Sequence, residues 1–171
     1  MGMDVYGKKS TSKEGEYFRR NVWGWHPLAE ICLDLAPDEC KDCVHWHSND
    51  GDGLDADGAN KLADKLQQLT ENGQIKEYIR VRNEAMGAMP DEECRFCRGT
   101  GVRTDDVGKA AGMPTKTIIE EGHRRHGQVG WCNGCNGRGF NRPFATYYGL
   151  DEQDVAEWIV FLRESGGFKI C

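Results

Sequence analysis

The chain has 171 residues, of which 38% are hydrophobic and 29% charged, and its formal net charge is −6 at pH 7. No apolar run approaches the roughly 18–20 residues that a membrane span needs, and no signal segment opens the chain, so we expect a cytoplasmic protein without a membrane partner. The modest hydrophobic fraction and the 22 glycines favour a small core supplemented by metal binding. Eight cysteines without an export signal favour thiolate ligation over disulfides.

The first 35 residues predict a short strand, an exposed loop and then a short helix. The helix is expected from Pro27 to about Leu35, because proline suits a first turn and apolar residues follow at helical spacing. Four aromatic residues within nine positions precede it, and their large apolar rings favour a role in the core. These are Tyr17, Phe18, Trp23 and Trp25.

A second candidate metal site follows. Cys40 and Cys43 have the spacing of a ligand pair, and a third cysteine or a histidine could complete the set. The further candidates are Cys32, His45 and His47. The alternative is that these thiols are partly buried and bind nothing.

The acidic stretch 48–58 resembles a calcium loop only superficially. Placing Gly58 at the sixth position puts Gly53 first, where an acidic residue is required. We therefore predict a turn in which Asp55 caps the next helix. The order His45-x-His47-x-x-Asp50 leaves a metal-dependent enzyme using the His45–Asp57 cluster as an alternative, although the carboxylate is one position from a common hydrolase arrangement.

Three helices are predicted from apolar periodicity. Residues 56–71 and 74–86 form an expected helical hairpin with an Asn-Gly link. A third helix follows Asp151, which can cap it, and ends at Gly166-Gly167. Residues 168–171 are expected to return as an edge strand.

The most specific pattern is a repeated C-x-x-C-x-G-x-G motif. It occurs at Cys94-Arg-Phe-Cys97-Arg-Gly-Thr-Gly and at Cys132-Asn-Gly-Cys135-Asn-Gly-Arg-Gly. Two such cysteine pairs supply the four sulfurs of a tetrahedral structural zinc site. The glycines permit left-handed backbone conformations, so that each motif can turn back as a tight knuckle. We predict one shared zinc ion.

These motifs resemble the cysteine-rich zinc finger of DnaJ-type chaperones, which has four copies and pairs the first with the fourth. The resemblance covers positions 94–139 and implies that Cys94, Cys97, Cys132 and Cys135 match the outer pair of that finger. It also implies a protein-binding zinc module. The J-domain signature His-Pro-Asp is absent, since Leu28 follows His26-Pro27, so recruitment of a chaperone ATPase is not expected.

A 34-residue segment, 98–131, separates the two cysteine pairs and is called the excursion below. Metal binding by the cysteines at its two ends would close it into a loop that exposes its surface to a partner. We predict a short helix around 115–121. Segment 94–143 carries nine Lys/Arg and four Asp/Glu, hence +5, whereas the remainder is −11. Candidate partner-binding residues are Arg103, Lys109, Lys116, His123, Arg124, Arg125 and His126.

Most of the chain also resembles an uncharacterised family of small bacterial and phage proteins. The similar stretches are Met1–Lys8, Gly15–Trp23, His47–Leu54 and Phe161–Phe168. This resemblance implies no activity, but it adds a phage-derived regulator or counter-defence protein to the hypotheses.

The sequence thus predicts an α+β fold, a small helical core with short strands plus a zinc-knuckle lobe. The expected domains are 1–93, 94–143 and a returning helix in 144–171. The favoured function is a non-enzymatic zinc-binding regulatory or adaptor protein that binds another protein. Nucleic-acid binding by the basic lobe is the main alternative.

Overall fold

A computed structural model describes residues 2–171, which form an α+β fold. The chain divides into two compact units. The main unit is Met1–Gly87 with Tyr147–Cys171, and the knuckle unit is Ala88–Thr146. No helix among residues 2–171 is long and apolar enough to cross a membrane.

Residues 2–171 contain six α-helices, five strands and one short 3-10 helix. They are β1 (Gly2–Gly7), β2 (Tyr17–Asn21), α1 (Val22–Leu35), α2 (Pro37–Cys40), α3 (Ala56–Glu71), α4 (Gln74–Ala88), β3 (Glu92–Glu93), α5 (Asp106–Ala110), β4 (Phe140–Asn141), the 3-10 helix (Phe144–Tyr147), α6 (Glu152–Glu164) and β5 (Phe168–Ile170).

The main unit contains an antiparallel sheet in the order β2-β1-β5. One face is apolar because Met3, Val5 and Phe18 point into the core, whereas the residues between them are more exposed. The ring of Phe18 packs against Trp158 of α6 at 5.0 Å between centroids. The predicted edge strand is confirmed as β5, which pairs with β1.

The aromatic cluster is divided between core and surface. Trp25 and Phe18 are buried, and Trp25 meets Trp158 edge to face at 5.5 Å. Trp23 is partly buried, and Tyr17 is 43% exposed. The prediction of a core role is therefore wrong for Tyr17, because strand alternation places its side chain on the face opposite to Phe18.

Helix α1 begins at Val22, five residues before the predicted start. The side chain of Asn21 caps it by accepting a bond of 3.0 Å from the N–H of Gly24. Pro27 consequently lies inside the helix. The predicted caps of α3 and α6 are confirmed. The side chains of Asp55 and Asp151 each accept a hydrogen bond from the backbone N–H three residues later in the chain.

The predicted helix at 115–121 is wrong. In its place Thr117 bridges Val129, and the N–H of Ile118 donates to the carbonyl of Gln128 at 3.1 Å. The run Thr117-Ile118-Ile119 is β-branched and favours an extended backbone. The helix of this region is α5 instead, capped by Asp105.

Candidate metal centre

The four cysteines of the two knuckles form one buried cluster. Their sulfurs all lie within 4.8 Å of one another. The Sγ atoms of Cys94 and Cys132 are 3.9 Å apart, and those of Cys97 and Cys135 are 3.7 Å apart. A tetrahedral ion with metal–sulfur bonds of about 2.3 Å requires sulfur separations of about 3.8 Å. The cluster could therefore hold a metal ion such as zinc.

The backbone after each second cysteine follows the same course in both knuckles. Arg98 and Asn136, which occupy equivalent positions, have φ angles of 48° and 49°. In each knuckle, the glycines one and three residues later also have positive φ angles, between 73° and 87°. They are Gly99, Gly101, Gly137 and Gly139. This repeated left-handed turn confirms why the motif needs glycine.

The two knuckles touch each other reciprocally through these glycines. A methyl group at Gly101 would lie 2.6 Å from the carbonyl oxygen of Gly137. A methyl group at Gly139 would overlap the carbonyl oxygen of Gly99. The second glycine of each motif thus meets the first glycine of the other. The local backbone has approximate twofold symmetry about the sulfur cluster.

Main-chain N–H groups point at the sulfurs. The N–H of Gly139 donates to the Sγ of Cys135 at 3.2 Å. Burial raises the pKa of Cys94, but hydrogen bonds from the N–H groups of Phe96 and Cys97 and from the thiols of Cys97 and Cys135 together outweigh it, and the pKa falls to about 7. Burial raises the pKa of Cys132 to about 12. The backbone stabilises the first negative charge, and a bound cation would be needed to stabilise further thiolates.

Arg103 connects the excursion to both knuckles. Its guanidinium lies 4.4 Å from the ring centre of Phe96 and donates 3.1 Å to the side-chain oxygen of Asn133. It also makes two bonds, of 2.8 and 2.9 Å, to the carboxylate of Asp105. Arg103 is only 9% exposed, so it is part of the internal structure of the knuckle unit.

Two other candidate partner-binding residues are also engaged internally. The Nε of Arg125 donates to the carbonyl of Gly130 at 2.8 Å, and its aliphatic stem packs on Gly137. The imidazole of His123 bonds Asn136 at 2.8 Å. The remaining candidates are exposed, and they are Lys109, Lys116, Arg124 and His126.

The predicted second metal segment forms no comparable cluster. Among residues 2–171, the four knuckle cysteines are the group that brings three or more ligand atoms together. Cys32, Cys40 and Cys43 are buried thiols, and burial raises the pKa of Cys40 and of Cys43 to about 12. His47 instead stacks on His26 at 4.4 Å between ring centres, and His45 is exposed.

The acidic loop is organised by its own carboxylates. Asp52 accepts bonds of 2.7 and 2.8 Å from the N–H groups of Val44 and His45. These bonds, led by that of His45, lower the pKa of Asp52. Asp55 is occupied in capping α3. Asp52 and Asp55 of the His45–Asp57 segment therefore both accept hydrogen bonds from backbone N–H groups and have structural roles in the loop.

Sequence reasoning missed Phe96 as a support of the cysteine cluster and Trp131 as a neighbour of His123. Phe96 packs against the cysteines and covers Gly134, where a side chain would collide with its ring. Trp131 precedes the second knuckle and lies edge-on to His123. The sequence did contain a signal for the role of Phe96. The second motif has a glycine, Gly134, at the position that Phe96 occupies in the first.

No protein-family model, curated protein or solved structure shows a significant match to this chain.

Proposed function

We propose that Cys94, Cys97, Cys132 and Cys135 bind one zinc ion, and that the protein is a non-enzymatic regulatory or adaptor protein that binds another protein. The observation that carries the metal assignment is the cluster of four buried sulfurs within 4.8 Å of one another, in which two pairs are 3.7 and 3.9 Å apart. A complete four-cysteine shell leaves no open position for a substrate, as in structural zinc sites.

The composition of the knuckle unit supports a metal requirement. Within residues 88–146, the buried hydrophobic residues are the four cysteines and Ile118. So small an apolar core does not compensate the conformational entropy of ordering the chain. Binding of a metal by the knuckles would supply the missing stabilisation, because metal-binding free energy becomes folding free energy.

A protein partner fits the exposed surface of the excursion. Ile119 is 82% exposed and Val129 is 59% exposed, and both belong to the short hairpin closed by the Thr117–Val129 bridge. Val107 is 63% exposed. Exposed aliphatic side chains gain free energy when a protein surface covers them.

The charge of the knuckle unit also favours a protein over nucleic acid. Residues 88–146 contain nine Lys/Arg and seven Asp/Glu, because this unit includes Asp91, Glu92 and Glu93. A zinc ion with four thiolates contributes about −2. The metal-loaded unit is then close to neutral, without the positive excess that drives phosphate binding.

Metal analysis of the purified full-length protein tests the first half of the proposal. We expect about one zinc ion per chain, and substoichiometric zinc in Cys94→Ser and Cys132→Ser, because a shell of three thiolates binds more weakly. Cys171→Ser is the matched control, since Cys171 lies outside the cluster, and it should retain the metal. Equal zinc content in all four proteins would refute the assignment, as would iron in place of zinc.

Affinity capture from nuclease-treated lysate tests the second half. We expect a defined protein partner that is captured by the wild type and lost with Ile119→Glu, because a charge in an apolar contact is unfavourable. Val44→Glu, at a site that is 75% exposed in the main unit, should retain it. Capture that occurs in untreated lysate but not in nuclease-treated lysate would identify nucleic acid as the ligand and contradict the proposal.

A further inference from the structure

The side chain of Arg103 contacts both cysteine motifs. Its guanidinium lies 4.4 Å from the ring centre of Phe96, which is located between the two cysteines of the first motif. The Nη1 of the same group donates 3.1 Å to Asn133, which is located between the two cysteines of the second motif. One buried side chain therefore contacts the interior of both C-x-x-C loops.

Asp105 joins this side chain to α5. One carboxylate oxygen of Asp105 accepts from the Nε of Arg103 at 2.8 Å, and the other accepts from its Nη2 at 2.9 Å. The first oxygen also accepts from the N–H of Gly108 at 2.7 Å and thereby caps α5. The carboxylate thus holds the planar fork of the guanidinium and the first turn of α5 together.

Helix α5 also packs directly on Arg103. Gly108 is buried, and a methyl group there would lie 2.7 Å from both the Cγ and the carbonyl oxygen of Arg103. Other side chains of α5 extend into solvent, since Val107 is 63% exposed and Lys109 is exposed. The helix is therefore held through Arg103 on one side while its other side forms part of the surface of the excursion.

We propose that Arg103 is a positioning residue that couples metal binding by the four knuckle cysteines to the placement of α5. This inference rests on the proposed zinc site and gives that site a regulatory role. Metal binding fixes the two C-x-x-C loops relative to each other, so that Phe96 and Asn133 lie where one guanidinium reaches both. The surface that carries Val107 and Lys109 is then ordered in the metal-bound protein and loses that order when the metal leaves.

The coupling is reciprocal, so a change that loosens α5 from Arg103 lowers metal affinity by the same factor. Asp105→Asn is such a change, because asparagine still caps a helix but cannot form the charged fork with Arg103. Competition with a chromogenic chelator, on the full-length protein, measures the affinity. We expect zinc binding to be about tenfold weaker, as for other groups that orient metal ligands.

Asp106→Asn is the matched control for this measurement. It removes the same charge one residue later, from an exposed side chain of the same helix, and it should not weaken zinc binding. The sign of the effect is also informative. Loss of a negative charge near four thiolates would by itself strengthen zinc binding, so weaker binding in Asp105→Asn points to the lost contact with Arg103.

Hydrogen exchange at saturating zinc tests the coupling from the side of Arg103. In Arg103→Gln we expect amides 108–113 to exchange about tenfold faster than in the wild type while one zinc ion stays bound, because the charged bonds to Asp105 are lost. Arg95→Gln is the control and should exchange like the wild type. The Arg95 guanidinium also lies over Phe96, at 4.7 Å, but among residues 2–171 it makes no hydrogen bond to Asn133 or Asp105.

The inference is overturned if Asp105→Asn binds zinc as tightly as Asp106→Asn does, or if Arg103→Gln leaves the exchange of 108–113 unchanged. With one zinc ion per wild-type chain, either result refutes the coupling but not the metal centre. A wild type that binds no zinc refutes both. If circular dichroism shows that Arg103→Gln does not fold, the comparison of the two asparagine variants decides.

Discussion

Among single residues, the knuckle glycines are constrained in two ways, by a left-handed backbone conformation and by contact with the opposite knuckle. Gly139 has a φ of 87° and lies against the carbonyl of Gly99 in the opposite knuckle. An L side chain pays about 1–2 kcal/mol for the left-handed conformation alone. The contact with the other knuckle adds a steric cost that no rotamer can relieve. Zinc affinity should therefore depend on this glycine although it is not a ligand.

We predict that Gly139→Ala lowers zinc affinity more than Gly122→Ala does. Gly122 has a φ of 84° but nothing within 4 Å of an added methyl group, so its substitution should cost only the backbone term of about 1–2 kcal/mol. Competition with a chromogenic chelator measures the two affinities. Equal affinities would show that the contact between the knuckles does not matter.

Charged residues near the cysteine cluster show why residue type alone is a poor guide to surface function. Arg103 and Arg125 were candidate contacts for a partner, yet their guanidinium groups bond atoms of the knuckle unit. Arginine suits this role because its planar fork makes several fixed bonds while its stem packs on apolar groups. Lys109 and Arg124, in contrast, extend from the same excursion into solvent.

At the scale of elements, the excursion is ordered largely by main-chain bonds. The N–H of Arg103 donates to Trp131, the N–H of Trp131 to Met113, and the N–H of Gly130 to Lys116, at 2.9 to 3.1 Å. Ile118 is the buried aliphatic residue within it. With so little apolar burial, its order should depend on the closed knuckles at its two ends.

Metal removal should consequently unfold the excursion while leaving α3 intact. Helix α3 buries five apolar residues in the main core, so it does not require the metal. Hydrogen exchange with and without a chelator should show faster exchange in segment 104–130 and unchanged exchange in 59–69. The chelator should produce no additional change in Cys94→Ser. Unchanged exchange in 104–130 of the wild type would contradict this dependence.

At the scale of the whole molecule, the two units use different means of stabilisation. The main unit has a continuous apolar core that includes Trp25, Trp158, Phe161 and Phe168. The knuckle unit has instead the cysteine cluster with Phe96 against it. The low hydrophobic content of the chain follows from this division, because one part of the molecule depends little on apolar burial.

Features whose signals lie within a few neighbouring residues were predictable from the sequence. The bounds of α3 and the cap of α6 follow from apolar periodicity and from Asp55 and Asp151. The four cysteines were identifiable because ligand spacing and the glycine turn are contained within eight residues. Local chemistry specifies these features before any tertiary contact forms.

Features that depend on residues far apart in the chain became visible in the folded structure. The pairing of β1 with β5 joins Val5 to Ile170, and the bridge of Thr117 to Val129 replaces the predicted helix. The internal use of Arg103 depends on Asn133, thirty residues away. A side chain's exposure and a strand's partner are set by groups far along the chain, so one-dimensional patterns do not encode them directly.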